Sequence, residues 1–392
     1  MKGPTPDDVV VTGLGAVSCL GSDTDTFWAG LKAADSRPEP VPGLSGLVPG
    51  ALSYQVAGVA EVTDRTGARH GRATAFALHA ARQAVADAAL DADEIADMAV
   101  VIGTAAGGTG EREEDQGDRG RNAWSPVFRL ASAVGGELGC FGANISVSNA
   151  CAASGYALSI AMDMVRQGEA RTVLVGGSDA VAAVPLAGFS RLGATDPSSC
   201  RPFDAGREGT VFGEGSAMLV VQSAEAAAGR PVHGRLLGAA LSCDAHHPTA
   251  PDPAGGQLVR VAREAMNASG IGPEGIDAVV PHGTGTRQND TVEAQVLGNV
   301  LGERLGEVPL FSLKAFIGHT AGSAAAFSVV CAALMARHGE MPANVALERQ
   351  DPDCPVWLPQ TGPTRLERAN VLINAYAFGG NNFSMIFGGG LR

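Results

Sequence analysis

Three residues of the chain combine side chains capable of chemistry with unusually small neighbours. Cys151 lies in the stretch SVSNACAASGYAL, His282 in PHGTGT and His319 in IGHTAG. A cysteine sulfur can act as a nucleophile, and histidine gains or loses a proton near neutral pH. One such cysteine alone is more often an inert packing residue. The two histidines in matching loops of small residues favour a nucleophilic site instead.

Cys151 is expected at a turn between a strand and a helix. The residues ANISVS before it are typical of a strand, and SGYALSIAMDMVRQG after it is typical of a helix that ends at Gly168. The unpaired N–H groups and the dipole of a helix N-terminus favour an anionic sulfur at such a place. The layout is similar in logic to the nucleophile elbow of hydrolases.

Each histidine is expected to follow a strand as well. GIDAVVPHGTGT places His282 just after one strand, and LFSLKAFIGHTAGS places His319 between a strand-like segment and an alanine-rich helix. Lys314, one of only three lysines in the chain, would lie near the end of that second strand. Because ligand sites lie at the carboxyl ends of parallel strands, the three loops are expected to converge.

The elements that position these loops alternate between helix and strand, which favours an α/β fold. Residues 72–90 and 257–268 predict helices, and residues 9–18, 216–223 and 369–378 predict strands. The strands DMAVVIGT and IDAVVPHGT follow alanine-rich helices roughly 180 residues apart. The two strand–turn–helix units that carry Cys151 and His319 also match, so we interpret the chain as two duplicated α/β halves.

The composition limits the classes of protein that remain. The 392 residues are 45% hydrophobic and 18% charged, which is typical of a globular chain of about two domain lengths. A net charge of −13 argues against nucleic-acid binding. Seven cysteines without a CxxC pair argue against a disulfide framework or a zinc site and favour a reducing cytoplasm. Neither a signal peptide nor a membrane span is expected.

Several motifs together resemble one known family. They are VVVTGLGAVSCLG, ACAAS, RPFDAGREGTVFGEG, HGTGTRQND followed by Glu293, LKAFIGHTAGSAAA and AFGGNN. In this order they resemble an elongating β-ketoacyl-acyl-carrier-protein synthase of the thiolase superfamily. The resemblance implies two duplicated βαβαβ-type halves in a five-layer αβαβα sandwich. Residues 1–237 would carry the nucleophilic cysteine, and residues 238–392 would carry both histidines.

The resemblance also implies a reaction, a decarboxylative Claisen condensation by an acyltransferase (EC 2.3.1). Cys151 would hold an acyl group, and His282 and His319 would stabilise the enolate formed from malonyl-acyl carrier protein. Lys314 would orient the histidines, and the backbone N–H groups of Cys151 and Phe378 would form an oxyanion hole.

Supporting residues follow from the same resemblance. Glu293 or Glu214 would pair with Lys314. Residues that would contact the acyl chain or the phosphopantetheine arm are Thr284, Thr286, Phe378, Gly379 and Gly380. The polar residues of RPFDAGREGTVFGEG are interpreted as a structural ion-pair network of Arg201, Asp204, Arg207 and Glu214. A metal at the adjacent His246 and His247 is not expected.

The implied partners are an acyl carrier protein and either a second copy or a chain-length-factor-like subunit, with no cofactor, metal, nucleic acid or membrane. One candidate carrier-docking cluster is Arg65, Arg69 and Arg72. Asn381, Pro281, Ser323 and a short segment at 110–125 depart from the family pattern. They slightly favour polyketide or polyene biosynthesis over fatty acid elongation. A non-condensing partner subunit or another acyltransferase of the same fold is the alternative.

Overall fold

The computed structural model describes residues 8–41, 48–56, 58, 62, 70–114 and 129–389. Arg65 and Arg69 of the candidate docking cluster lie outside the described residues. So does most of the polar segment at 110–125.

Fourteen strands and eleven α-helices occur in the described residues. The strands are β1 Val9–Val17, β2 Glu39–Pro40, β3 Leu52–Tyr54, β4 Ala99–Gly103, β5 Asn144–Val147, β6 Thr172–Asp179, β7 Phe212–Gly213, β8 Gly215–Ser223, β9 Gly234–Cys243, β10 Ala278–Val280, β11 Glu340–Met341, β12 Thr364–Arg365, β13 Asn370–Tyr376 and β14 Asn381–Gly388. The helices are α1 Thr24–Ala33, α2 Arg72–Asp87, α3 Ala92–Asp97, α4 Thr109–Glu114, α5 Leu130–Leu138, α6 Ala153–Arg166, α7 Ala183–Arg191, α8 Gly256–Ser269, α9 Arg287–Leu301, α10 Lys314–Ile317 and α11 Ala324–His338.

The two halves repeat one strand order. The first half runs β5-β4-β6-β8-β1 across the sheet, and the second runs β10-β13-β14-β9, with a parallel bridge from Leu310 to Val279 in place of a further strand. In each half, we number the strands of this sheet in sequence order and count the Leu310 bridge as a strand. The order across the sheet is then third, second, fourth, fifth, first in both halves. The parallel and antiparallel pairs also correspond between the halves. The internal duplication predicted from the sequence is therefore present in the topology.

The layers follow from the helices that contact each half. Helices α2 and α5 pack on the outer face of the first half, and α8 and α9 pack on that of the second. Helices α6 and α11 contact each other and the strands of both halves, so they form the central layer. This is the expected five-layer αβαβα arrangement, and it explains why α11 is apolar on all sides.

The segment Ala321–His338 is long and apolar enough to cross a membrane by length and composition, although 83% of it is buried inside the protein. Such a sequence is also what a helix enclosed between the strands of the two halves requires.

One predicted strand is wrong over most of its length. In LFSLKAFI only Leu310 and Phe311 have strand-like pairing, and Lys314–Ile317 forms the short helix α10. The chain leaves the sheet at Ser312, whose N–H donates to Asn344 Oδ1 at 2.8 Å. Gly318, at φ 68°, ends the helix. This turn buries Lys314 instead of leaving it at a strand end.

The boundary predicted between residues 237 and 238 falls inside β9. Antiparallel pairs from β1 to β9 join the two halves into one sheet of nine strands. The division into two halves at this position stays a prediction.

Candidate functional site

Cys151 lies where the sequence predicts it, between β5 and the N-terminus of α6. Ala150 has φ 46°, a left-handed conformation that turns the chain sharply before the cysteine. Ala152, the N-cap of α6, provides no side-chain acceptor for the first helical N–H groups. The turn therefore places the sulfur at the N-terminus of α6, where no side chain caps the helix.

Cys151 and His319 are in direct contact. The Sγ of Cys151 lies 3.0 Å from Nε2 of His319, and both residues are buried. The backbone of His319 is fixed by Val211 and Gly213, through bonds of 2.8 and 3.0 Å. Val211 and Gly213 belong to the motif RPFDAGREGTVFGEG. The motif therefore fixes the position of His319 through backbone hydrogen bonds.

The helix N-terminus does not make the resting sulfur anionic. Burial raises the pKa of the Cys151 thiol to about 11, although the charge of Lys314 and the backbone N–H groups of Phe378 and Cys151 act in the opposite direction. The backbone N–H groups thus favour the thiolate in the expected direction, but burial has the larger effect, so the thiol of the free protein is neutral.

His282 and Lys314 form the second contact of the site. The Lys314 Nζ lies 3.4 Å from Nδ1 of His282 and also bonds to the backbone carbonyl of His282. An ammonium group can only donate, so Nδ1 of His282 accepts and its proton resides on Nε2. Burial, then Lys314 and His319, hold the pKa of His282 well below its usual value.

His319 is neutral for similar reasons. Burial and the charge of Lys314 hold its pKa well below the usual value. Its Nδ1 has no hydrogen-bond partner among the described residues. No neighbour therefore fixes its tautomer, and Nε2 can either accept a proton from Cys151 or donate one. The two imidazoles stand edge to face, with centroids 5.5 Å apart.

Glu293 holds the loop that carries His282. Its carboxylate accepts from the N–H groups of His282 and Gly283, each at 2.7 Å. Burial raises the pKa of Glu293 to about 7. Lys314 affects Glu293 through its charge, but no ion pair joins them within the described residues. The predicted pairing of Lys314 with Glu293 is therefore electrostatic and not a direct contact.

Glu214 does not partner Lys314. It forms an ion pair with Arg72, and it accepts from the N–H groups of Val56 and Val181 at 3.1 and 3.2 Å. The prediction of a Glu214–Lys314 pair is wrong. Arg72, a member of the candidate docking cluster, is engaged by this buried carboxylate.

The remaining polar residues of RPFDAGREGTVFGEG also pair with residues outside the motif. The fully buried Arg207 bonds to Asp290 at 3.2 Å and to Asp351 at 2.6 Å, and Arg201 bonds to Asp196 at 3.0 Å. Asp204 accepts from backbone N–H groups, including that of Glu348 at 2.8 Å. The charged residues of the motif thus have a structural role, but they form ion pairs with residues outside the motif instead of with one another.

A cavity of about 310 Å³ opens onto these groups. Its lining includes Cys151, both histidines, Thr284, Thr286 and Phe378. The hydroxyls of Thr284 and Thr286 lie 2.8 Å apart. The structure therefore brings most of the predicted site residues to one space. Lys314, Glu293, Gly379 and Gly380 are not part of its lining.

The turn Phe378–Gly380 closes one side of this cavity. Gly379 and Gly380 have φ of 84° and 76°, so this close turn requires glycine. Gly379 donates to the Pro248 carbonyl at 2.8 Å, and Gly380 accepts from Asp244 at 2.9 Å. These bonds hold the N–H of Phe378 near the Cys151 sulfur, as the predicted oxyanion hole requires.

Two contributors to the site were not found from the sequence. Phe189 on α7 stacks on Phe378 with ring centroids 4.7 Å apart. Asp179 at the end of β6 is buried and accepts from Gly322 at 2.7 Å, three residues after His319. Neither residue lies in a motif with a chemical signature, and both depend on contacts between distant parts of the chain. Within the described residues no group of three or more metal-binding side chains occurs.

Comparison with known proteins agrees with this geometry. Residues 6–227 match the family model for the beta-ketoacyl synthase N-terminal domain, and residues 233–348 match that for the C-terminal domain. A 3-oxoacyl-[acyl-carrier-protein] synthase 2 from Synechocystis sp. is 32% identical over 410 residues and covers 97% of each chain.

Solved structures agree as well. The ishigamide ketosynthase/chain length factor has a TM-score of 0.88 at 32% identity, covering 98% of this chain and 100% of that one. A type II PKS acyl-carrier protein in complex with its ketosynthase, AntDE:AntF, has a TM-score of 0.86 at 25% identity, with coverage of 98% and 100%.

The fold and the site thus define a thiolase-fold protein with a cysteine–histidine–histidine centre. The chain belongs to the beta-ketoacyl synthase family.

Proposed function

We propose that the protein is a ketosynthase that condenses an acyl group held on Cys151 with malonyl-acyl carrier protein, in fatty acid or type II polyketide or polyene biosynthesis. The observation that carries the proposal is the 3.0 Å contact between Cys151 and His319 in a cavity that His282 also lines. A nucleophile and two neutral imidazoles are what this reaction requires.

The first half-reaction transfers the acyl group to the enzyme. Cys151 Sγ attacks the thioester carbonyl of the acyl carrier protein, and a new C–S bond forms as the old one breaks. The thiol proton passes to Nε2 of His319 and then to the departing pantetheine sulfur. The free tautomer of His319 makes both transfers possible. The oxyanion accepts hydrogen bonds from the backbone N–H groups of Cys151 and Phe378.

The second half-reaction forms the carbon–carbon bond. The malonyl thioester loses carbon dioxide, and the electron pair of the broken bond becomes an enolate. Nε2–H of His282 donates to the enolate oxygen, because Lys314 keeps the proton on that nitrogen. His319 is the second donor. The enolate carbon attacks the acyl-Cys151 carbonyl, and the bond from that carbonyl to the Cys151 sulfur breaks. The sulfur leaves as a thiolate and takes a proton from water through Nε2 of His319.

The chain needs no cofactor for these steps beyond the phosphopantetheine on the carrier. Thr284 and Thr286, which line the cavity, would contact that arm. The partner subunit is a second copy or a chain-length-factor-like protein. All seven cysteines are free, which supports a place in the reducing cytoplasm. A non-condensing subunit is disfavoured because the nucleophile and both histidines are present and in contact.

The test is acylation of the purified protein. Wild-type protein is incubated with acyl carrier protein that bears an acyl thioester, and mass spectrometry should show one acyl group on Cys151. Addition of malonyl-acyl carrier protein should then produce a β-ketoacyl group on that carrier. Cys151→Ala should abolish both reactions and still fold, because the change is small at an alanine-rich turn.

Cys243→Ala is the matched control. Cys243 is an exposed cysteine outside the cavity lining, and its Sγ lies 3.7 Å from the carbonyl oxygen of Gly379. This variant should keep full activity. An acyl group found on Cys243 alone, or none on Cys151 with any carrier, would refute the proposed function.

A further inference from the structure

Helix α7 and the residues after it form one wall of the cavity above Cys151. Phe189, Leu192 and Ala194 line the cavity. The Phe189 ring stacks on Phe378 and meets Phe212 edge-on, with centroids 4.8 Å apart in the second pair. The position of α7 therefore sets how much room the cavity leaves beside these rings.

Packing holds only one face of α7. Its two buried side chains are Ala183 and Leu186, and Leu186 lies in a small apolar cluster with Phe212. The other face is open in the single chain, since Val184 is 65% exposed and Leu192, just after the helix, is 55% exposed. Ala182, the N-cap residue, offers no side-chain acceptor. A helix with so little buried apolar surface depends on the bonds made at its ends.

Glu113 supplies the missing bonds at the helix N-terminus. Its two carboxylate oxygens accept from the N–H groups of Ala183 at 2.6 Å and Val184 at 2.8 Å. An anion at a helix N-terminus satisfies unpaired amides and interacts favourably with the helix dipole. Glu113 comes from α4, 70 residues earlier in the chain.

The support of Glu113 is itself fixed to the core. The loop that leads into α4 is held by the buried Asp179, which accepts from the N–H groups of Ala105 and Ala106, with a shortest distance of 2.8 Å for Ala106. The Thr104 hydroxyl bonds to the same carboxylate at 2.8 Å. Glu113 therefore links α7 to the carboxyl ends of strands β4 and β6.

We propose that Glu113 is a positioning residue that fixes α7, and with it Phe189, and so determines which acyl chain lengths Cys151 accepts. The inference rests on the proposed ketosynthase function. Helix α4, at the start of the segment that departs from the family pattern, thus contributes one carboxylate that shapes the acyl cavity.

The test measures relative acylation rates of Cys151 with carrier proteins that bear straight acyl chains of increasing length. In Glu113→Ala the loss of both acceptors lets Phe189 move away from Phe378. The ratio of kcat/KM between longer chains and the chain that wild type prefers should then rise about fivefold to tenfold. Glu113→Gln keeps one acceptor oxygen, so its ratio should rise about twofold to threefold.

Two controls separate positioning from general destabilisation. Alkylation of Cys151 by iodoacetamide, a small reagent that does not probe the chain cavity, should stay within about twofold of wild type. Asp91→Ala removes a comparable N-terminal cap from the remote helix α3, where Asp91 accepts from Glu94 at 2.9 Å. It should lower the unfolding temperature without moving the chain-length ratio.

The proposal is overturned if Glu113→Ala folds and keeps the wild-type ratio, or if Asp91→Ala moves the ratio equally. Should Glu113→Ala not fold, Glu113→Gln decides by the same ratio. If wild-type Cys151 accepts no acyl group at all, the proposed function fails instead, so the two failures are distinguishable.

Discussion

At the residue scale, the two histidines of the site have different roles because their Nδ1 atoms have different surroundings. Lys314 occupies Nδ1 of His282, so that His282 has one tautomer and acts as a donor. Nδ1 of His319 has no partner among the described residues, so His319 can exchange a proton with Cys151. The same lysine disfavours the charged form of both rings. Burial, with the charge of Lys314 acting in the same direction, thus keeps both imidazoles neutral.

The raised thiol pKa predicts how Cys151 reacts with pH. Below the pKa of about 11 the sulfur is protonated, so the thiolate fraction grows as the pH rises. The alkylation rate of Cys151 by iodoacetamide should therefore increase through pH 7 to 10 by about tenfold per unit. A free thiol such as N-acetylcysteine should level off near its usual pKa of about 8.5. Peptide mass spectrometry over time measures both.

Lys314→Met extends this test, because Lys314 lowers the Cys151 pKa. Its profile should move to higher pH, so that alkylation at pH 8 is slower than in wild type. Lys32→Met is the matched control, since Lys32 is a half-exposed lysine that pairs with Glu340. A wild-type rate that is already constant at pH 7 would contradict the assigned protonation of Cys151.

At the scale of elements, the first turn of helix α6, which follows Cys151, is tightly packed. A Cβ added to Gly103 at the end of β4 would lie 2.3 Å from the Ser154 nitrogen, and one added to Gly155 would lie 2.5 Å from the Phe383 ring. The first turn of α6 is therefore pressed between two strands, β4 and β14. These contacts fix the sulfur relative to His319 on one side and the Phe378 turn on the other.

Gly155→Ala tests this packing. The new methyl group requires Phe383 or the helix to move, which should lower the free energy of unfolding by about 1–3 kcal/mol and slow Cys151 acylation. Gly136→Ala in α5 is the control, because no atom lies within 4 Å of its added Cβ. That variant should gain about 0.5–1 kcal/mol and keep its activity. Urea unfolding measures stability, and equal stability of the two variants would refute the packing argument.

The same elements show how far sequence reasoning reached. Helix α2, strands β1, β8 and β13, and the three loops of the site follow from local patterns, since periodicity and glycine positions are local properties. The short helix α10 was missed because a buried side chain, Asn344, draws the chain out of the sheet at Ser312. Pairs such as Arg72 with Glu214 and Glu113 with α7 join segments 142 and 70 residues apart, which no local pattern reveals.

At the scale of the whole molecule, the two halves are joined by a strand pair and by central helices that contact both. Strands β1 and β9 pair directly across the halves. Helix α11, from the second half, contacts β1, β6 and β8 of the first half as well as β13 and β14 of its own. The Trp28 ring of the first half stacks on His338 of the second, with centroids 4.5 Å apart. Because Cys151 and the two histidines come from different halves, activity depends on this association.

These contacts between the halves predict that both halves unfold together. Neither half can bury its inner sheet face without the central helices of both. In hydrogen exchange followed by mass spectrometry in increasing urea, peptides that cover β6 and β13 should lose protection at the same urea concentration. The peptide that covers α7 should exchange earlier, because that helix has little buried surface. Two separate transitions for β6 and β13, with free energies of opening that differ by more than about 2 kcal/mol, would show instead that each half is an independent folding unit. In that case the pairing of Cys151 with His319 would form only after the halves associate, and acylation would be lost at the lower of the two transitions.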